Sequence, residues 1–223
     1  MPINGHELAR MTDLTLIKQL ATKADMEELI ANAKKYDVWV AVGLKCYVPM
    51  LVEAFKGTNT MTITSCCSRQ GSDELETKIA GAKRYIELGV GEIENYMNFS
   101  YFKSKMYDEV VKDIRAIRDV AGDMTYKVIL ETPQFTDEEL KIACELCIDG
   151  GADYVKTGTG TLGATDVHTI EVISKALKGR AKIKASGGIR TLETVDAMLD
   201  LGVARFGIGM SSAVELFEAA NRR

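Results

Sequence analysis

The chain has 223 residues, of which 46% are hydrophobic and 27% charged, the mix of a globular protein able to build a core without disulfide or metal staples. A formal charge of −4, from interspersed acids and bases, excludes the basic stripe needed to bind nucleic acid or an anionic membrane. No run of about eighteen apolar residues exists to span a membrane, and Met1–Arg10 lacks the apolar stretch of a signal peptide, so a cytoplasmic protein is expected.

In chain order, short apolar strands are expected near Asp13–Ile17, Trp39–Val42, Met61–Thr64, Glu92–Met97, Tyr126–Glu131, Tyr154–Thr157, Lys182–Ala185 and Arg205–Ile208. Between them lie amphipathic helical patterns such as Asp25–Lys35, Asp73–Glu87, Tyr107–Val120, Asp137–Ile148, Val167–Leu177 and Thr191–Leu201. Thr136 with Glu139 three residues on has the spacing of a capping box, and glycine turns after Glu87, Asp149 and Asp200 lead from a helix into the next strand. Such alternation implies a parallel sheet. Eight strands in this length favour a closed (β/α)8 TIM barrel over an open doubly wound sheet. No Pro- or Gly-rich linker divides the chain, so residues 1–223 are expected to form one domain. Chemistry in such barrels sits at the carboxyl ends of the strands.

Five cysteines are present: Cys46, Cys66, Cys67, Cys144 and Cys147. The Cys144-x-x-Cys147 spacing suits a redox or zinc site, but Leu140, Ala143, Cys144 and Cys147 share one helical face and read as buried hydrophobes. With only His6 and His168 to complete a ligand set, no metal is expected.

Three lysines interrupt apolar strands: Lys127 in TYKVILET, Lys156 in ADYVKTGTG and Lys184 in AKIKASGGIR. Burying an ammonium is costly unless it is paired or used. Desolvation and like-charged neighbours depress a lysine pKa, which makes the amine nucleophilic near neutral pH. Lysines on three consecutive strands suggest a shared barrel interior. Glu92 and Glu94, two apart, share a face of the fourth strand. Glu131 closes the fifth strand on the Lys127 face, and Asp13 opens the first. An amine that forms imines needs such a proton shuttle. Salt bridges to the barrel lysines are the alternative use of each carboxylate. Gly158-Thr-Gly160, Gly187-Gly188 and Gly207-Ile-Gly209 follow the last three strands, where exposed backbone N–H groups can hold a phosphate.

These motifs resemble the deoxyribose-phosphate aldolase family. DYVKTGTG is similar to its Schiff-base motif, which usually has serine at the place of Gly158, and KASGGIRT to its second lysine motif. Similarity extends through YKVILET, DLTLIK, GEIE and RFG, over about residues 10 to 212. The resemblance implies a class I aldolase that joins an aldehyde donor to a phosphorylated aldehyde. No cofactor is implied, the partner is a small sugar phosphate or aldehyde, and a homodimer or larger homo-oligomer is expected. It implies Lys156 as the imine-forming residue, Lys184 as the group that lowers its pKa, and Lys127 as part of the polar network. Asp13 matches an aspartate near the family's substrate site, and Glu94 stands where the family carries its proton-shuttling aspartate. Gly160, Gly187, Gly188 and Gly209 are expected to contact phosphate. The third loop departs from the family's Gly-Phe-Pro-x-Gly pattern and reads Cys67-Ser-Arg-Gln-Gly71, which brings in Arg69 as a candidate phosphate ligand. After RFG the family's two serines give way to Gly209 and Met210, with Ser211 and Ser212 displaced, and the chain ends in Asn-Arg-Arg where some members have a mobile tyrosine.

Overall fold

The structure, a computed structural model, describes residues 2–223. Its eight strands are β1 (Thr12–Thr15), β2 (Val40–Val42), β3 (Met61–Ser65), β4 (Glu92–Tyr96), β5 (Tyr126–Ile129), β6 (Tyr154–Lys156), β7 (Lys182–Ser186) and β8 (Val203–Gly209). All pair in parallel and in sequence order, and β8 returns to β1, so the expected barrel is closed and the open sheet is excluded. The crossover helices are α2 (Lys23–Lys35), α3 (Val48–Phe55), α4 (Leu75–Leu88), α6 (Tyr107–Ala121), α7 (Asp137–Asp149), α8 (Val167–Leu177) and α9 (Leu192–Asp200). Helix α1 (Gly5–Arg10) precedes β1, the short α5 (Phe99–Lys103) follows β4, and α10 (Met210–Ala220) closes the chain. Helix α3, mostly apolar and only eight residues long, is not among the helical patterns expected from the sequence. The Thr136 hydroxyl accepts from the Glu139 N–H while the Glu139 carboxylate accepts from the Thr136 N–H, the capping box expected there.

Strand alternation divides the buried residues into two sets. Leu14, Ile93, Tyr126, Val128, Val155, Ile183, Ala185, Phe206 and Ile208 face outward and pack against the helices in one continuous apolar layer. The alternate residues face the barrel axis, and there the charged side chains collect: Asp13, Glu92, Glu94, Lys127, Lys156, Lys184 and Arg205. Cys144 and Cys147 lie buried on α7 in the apolar layer, and burial pushes both thiols up, as expected of inert core cysteines.

Candidate active site

Register sets the height of each inward side chain. Glu94 stands opposite Lys127 and Ser65, Lys156 opposite Lys184 and Ile129, and Asp13 opposite Gly207 and Val40. A lower charged layer results. The Asp13 carboxylate accepts from Lys127 at 3.0 Å, from Arg205 at 2.8 Å and from Lys184. Glu92 pairs with Lys127 at 2.5 Å and with Arg205 at 3.1 Å. The Arg205 guanidinium lies 5.1 Å from the centre of the Trp39 ring, which closes the floor.

Above this layer, Lys156 Nζ donates to both Glu94 oxygens, at 2.8 and 2.9 Å, and Lys184 Nζ lies 3.7 Å from the same carboxylate. These three side chains line a cavity of about 1050 Å³ that opens at the carboxyl ends of the strands. Its walls also carry Tyr96, Cys67, Ser186, Arg69, Gly209 and the glycines of the loops after β6 and β7.

Within the barrel, three carboxylates face four basic groups, so the cluster is electrically balanced when one lysine is neutral. Of the two lysines that line the cavity, Lys156 is the one whose proton is loosened. Burial, together with the Lys184 charge, lowers it to about 8 against the pull of Glu94. Burial also disfavours the Lys184 ammonium, but Asp13 and Glu94 outweigh it and raise Lys184. Lys127 is lowered, chiefly by burial, yet it is fully buried between two carboxylates and does not reach the cavity. Asp13 is drawn well below the usual carboxylate range, because Lys127, Lys184 and Arg205 overcome the effect of burial.

The sequence expectations distribute unevenly over this geometry. Lys156, Lys184 and Glu94 converge on the cavity. Asp13 and Lys127 lie beneath it in the lower layer, where the Asp13 carboxylate accepts from Lys184, one of the residues lining the cavity. Glu131 does not join the lysines. Strand β5 ends at Ile129, and Glu131, at φ 51°, turns its carboxylate to accept from the Thr159 hydroxyl at 2.7 Å, so it holds the loop after β6. Arg69 is exposed at the cavity rim.

Gly160, Gly187, Gly188 and Gly209 all line the cavity. The N–H groups of Gly160, Gly187 and Gly188 have no acceptor among the described residues. The need for glycine at 187 and 188 comes first from the neighbouring chain: φ is 100° and 78°, and a Cβ would stand 2.9 Å from Gly160 N and 2.6 Å from the Ala164 Cβ. Gly209 differs, for a Cβ there would meet nothing within 4 Å. It precedes α10 without a side-chain cap, so the first N–H groups of that helix face the cavity beside Ser211 and Ser212.

Sequence reading missed Arg205, Tyr96 and Cys67. Arg205 and Phe206 alternate in-out on β8 as Lys184 and Ala185 do on β7, a signal strand parity could have supplied. Cys67 accepts from the Tyr96 N–H at 3.2 Å, and the Cys66 thiol with that N–H brings it to about 7 despite burial.

No family model matches the chain. It is 37% identical to a deoxyribose-phosphate aldolase of Finegoldia magna over 213 residues, covering 95% of this chain and 99% of that one. It is 36% identical to a deoxyribose-phosphate aldolase of Thermoanaerobacter over 219 residues, covering 96% and 97%. The solved structure of the tetrameric deoxyribose phosphate aldolase of Aeropyrum pernix superposes with a TM-score of 0.88 at 27% identity, over 97% of this chain and 92% of that one. Near-complete coverage at this identity, on the same closed barrel, places the chain in the deoxyribose-phosphate aldolase family.

Proposed function

We propose that this aldolase works through a Schiff base on Lys156 and reversibly cleaves 2-deoxyribose 5-phosphate to acetaldehyde and glyceraldehyde 3-phosphate. The observation that carries the reading is Lys156 itself: a buried amine at the cavity floor, lowered to about 8, with a carboxylate 2.8 Å away. Its neutral fraction near pH 7 attacks the substrate carbonyl, and the carbinolamine loses water to give an iminium. Glu94 takes the proton from the substrate hydroxyl as the adjacent C–C bond breaks, with the electron pair passing into the iminium to give an enamine and the free aldehyde. Protonation of the enamine and hydrolysis of the resulting imine release acetaldehyde and restore the amine. Glu94 suits these transfers because its carboxylate already accepts hydrogen bonds from the amine. Lys184 stays charged throughout, held by Asp13, and keeps Lys156 from being locked as an ammonium.

The phosphate is received by the unpaired N–H groups of Gly160, Gly187 and Gly188 and by the α10 N-terminus after Gly209, with Arg69 at the rim as a further charge. The assembly is a homodimer or larger, a reading that the tetrameric Aeropyrum pernix relative supports. The enzyme acts in the cytoplasm, in keeping with the absence, among the described residues, of any helix long and apolar enough to cross a membrane.

Borohydride trapping tests the reading. Incubation with acetaldehyde and reduction should add one two-carbon unit at Lys156, and Lys156→Ala should abolish both the adduct and cleavage of 2-deoxyribose 5-phosphate. An adduct that persists in Lys156→Ala would transfer the imine to Lys184.

A further inference from the structure

Strand β4 presents three inward side chains in a rising series. Glu92 lies in the lower layer with Arg205 and Lys127, Glu94 is at the level of Lys156, and Tyr96 stands on the cavity wall. Two residues of strand carry Tyr96 about 6–7 Å beyond Glu94 toward the open end. The ring packs with Cys67, Ile129 and Phe99, and the residue is only 6% exposed. Among the described residues its hydroxyl has no hydrogen-bond partner, although it is not sealed from the cavity. The Glu94 oxygens, two residues back on the same strand, are already taken by Lys156 and Lys184. Its hydroxyl is therefore a donor on the cavity wall without an acceptor among the described residues. Burial, with Glu94 and Glu131 nearby, pushes the Tyr96 phenol up, so it is present as a neutral O–H and donates.

We propose that the Tyr96 hydroxyl is a specificity group that hydrogen-bonds the hydroxyl next to the carbonyl of the phosphorylated acceptor aldehyde. The assignment rests on the Schiff-base reading and follows from heights in the barrel. With the imine carbon on Lys156 and Glu94 of β4 taking the proton of the reacting hydroxyl, the hydroxyl side of the carbon chain faces β4 while its phosphate end reaches the turns after β6, β7 and β8 at the open end. The oxygen at the breaking bond lies at the level of Glu94, and the next oxygen outward reaches the level of Tyr96. An acceptor without that hydroxyl leaves Tyr96 unpaired in a mostly desolvated wall, and discrimination arises from that unmet donor.

The test is acetaldehyde addition to two acceptors, glyceraldehyde 3-phosphate and 3-oxopropyl phosphate, which differ only in this hydroxyl. Tyr96→Phe keeps the ring and its packing, so its thermal midpoint should match that of the parent. It should lower kcat/KM for glyceraldehyde 3-phosphate by about 3–10-fold, the value of one neutral hydrogen bond, and leave the hydroxyl-free acceptor nearly unchanged. Imine trapping with acetaldehyde alone should proceed equally in both proteins, because the donor does not reach Tyr96. An acceptor preference identical in parent and Tyr96→Phe would overturn the proposal while leaving the aldolase reading intact. Failure of the parent to trap acetaldehyde would overturn the Schiff-base reading, and the Tyr96 assignment with it.

Discussion

Replacing Lys184 with Met removes a charge from the cluster while keeping a side chain of similar length. Glu94 Oε2 lies 2.9 Å from Lys156 Nζ and 3.7 Å from Lys184 Nζ, so the two nitrogens are within about 6.6 Å of each other. Unit charges at that separation, at an effective dielectric of about 20, repel by about 2.5 kcal/mol. That energy corresponds to a little under two pK units. Lys156 starts at about 8, so Lys184→Met should carry it to between about 9 and 10, the more so because Asp13 loses one of its counter-charges. About a tenth of the parent amine is neutral at pH 7, and the variant should keep about 10–100-fold less. The sign is fixed: a base whose pKa rises loses its reactive form at a given pH, so the rate at neutral pH falls and recovers as pH is raised. Single-turnover trapping of acetaldehyde with cyanoborohydride, followed from pH 6 to 10, reads the inflection directly. Because the two lysines titrate together, the inflection belongs to the pair. An inflection unmoved in Lys184→Met would show that burial alone sets the Lys156 pKa and that Lys184 acts on something other than the nucleophile.

Glu94→Gln keeps the shape at Lys156 but cannot accept a proton, so cleavage should slow by about 10²–10⁴-fold while imine trapping survives; near-parental cleavage would place the shuttle elsewhere. Gly209→Val adds its side chain to open cavity space, so it should raise KM for 2-deoxyribose 5-phosphate well above its effect on 2-deoxyribose. Gly188→Val, forced against Ala164 at positive φ, should chiefly lower the thermal midpoint, which makes it the poorer probe of phosphate. For Arg69→Ala, an equal loss on both substrates would remove Arg69 from the phosphate site. Away from the active site, the Asp113 carboxylate holds the fully buried Lys78 ammonium at 2.8 Å, with Gly71 carbonyl at 2.6 Å. Asp113→Ala strands that charge and should cost about 3–5 kcal/mol in urea unfolding, much of it recovered when Lys78 is also replaced by Met.

Sequence alone determined the architecture and the chemistry available to it. The alternation of short strands with helical stretches specified a parallel barrel, because each helix carries the chain back across the sheet so that the next strand runs in the same direction. The lysines at 127, 156 and 184 and the glutamates at 92 and 94 were legible as inward-facing because each adjoins at least one outward apolar residue of its strand. What two-residue periodicity cannot encode is height along the barrel axis. That is set by register between strands some thirty residues apart in sequence and by the shear of the closed sheet. The geometry that separates Lys156 at the cavity from Lys127 sealed between Asp13 and Glu92, and that puts Asp13 under Lys184, therefore comes only from the tertiary structure. It also showed the Gly187–Gly188 turn to be demanded by the adjoining loop, and it brought Arg205 to the floor and Tyr96 to the wall. Each of those outcomes depends on contacts between segments distant in the chain, where local pattern carries no information and closure of the barrel decides which side chains meet.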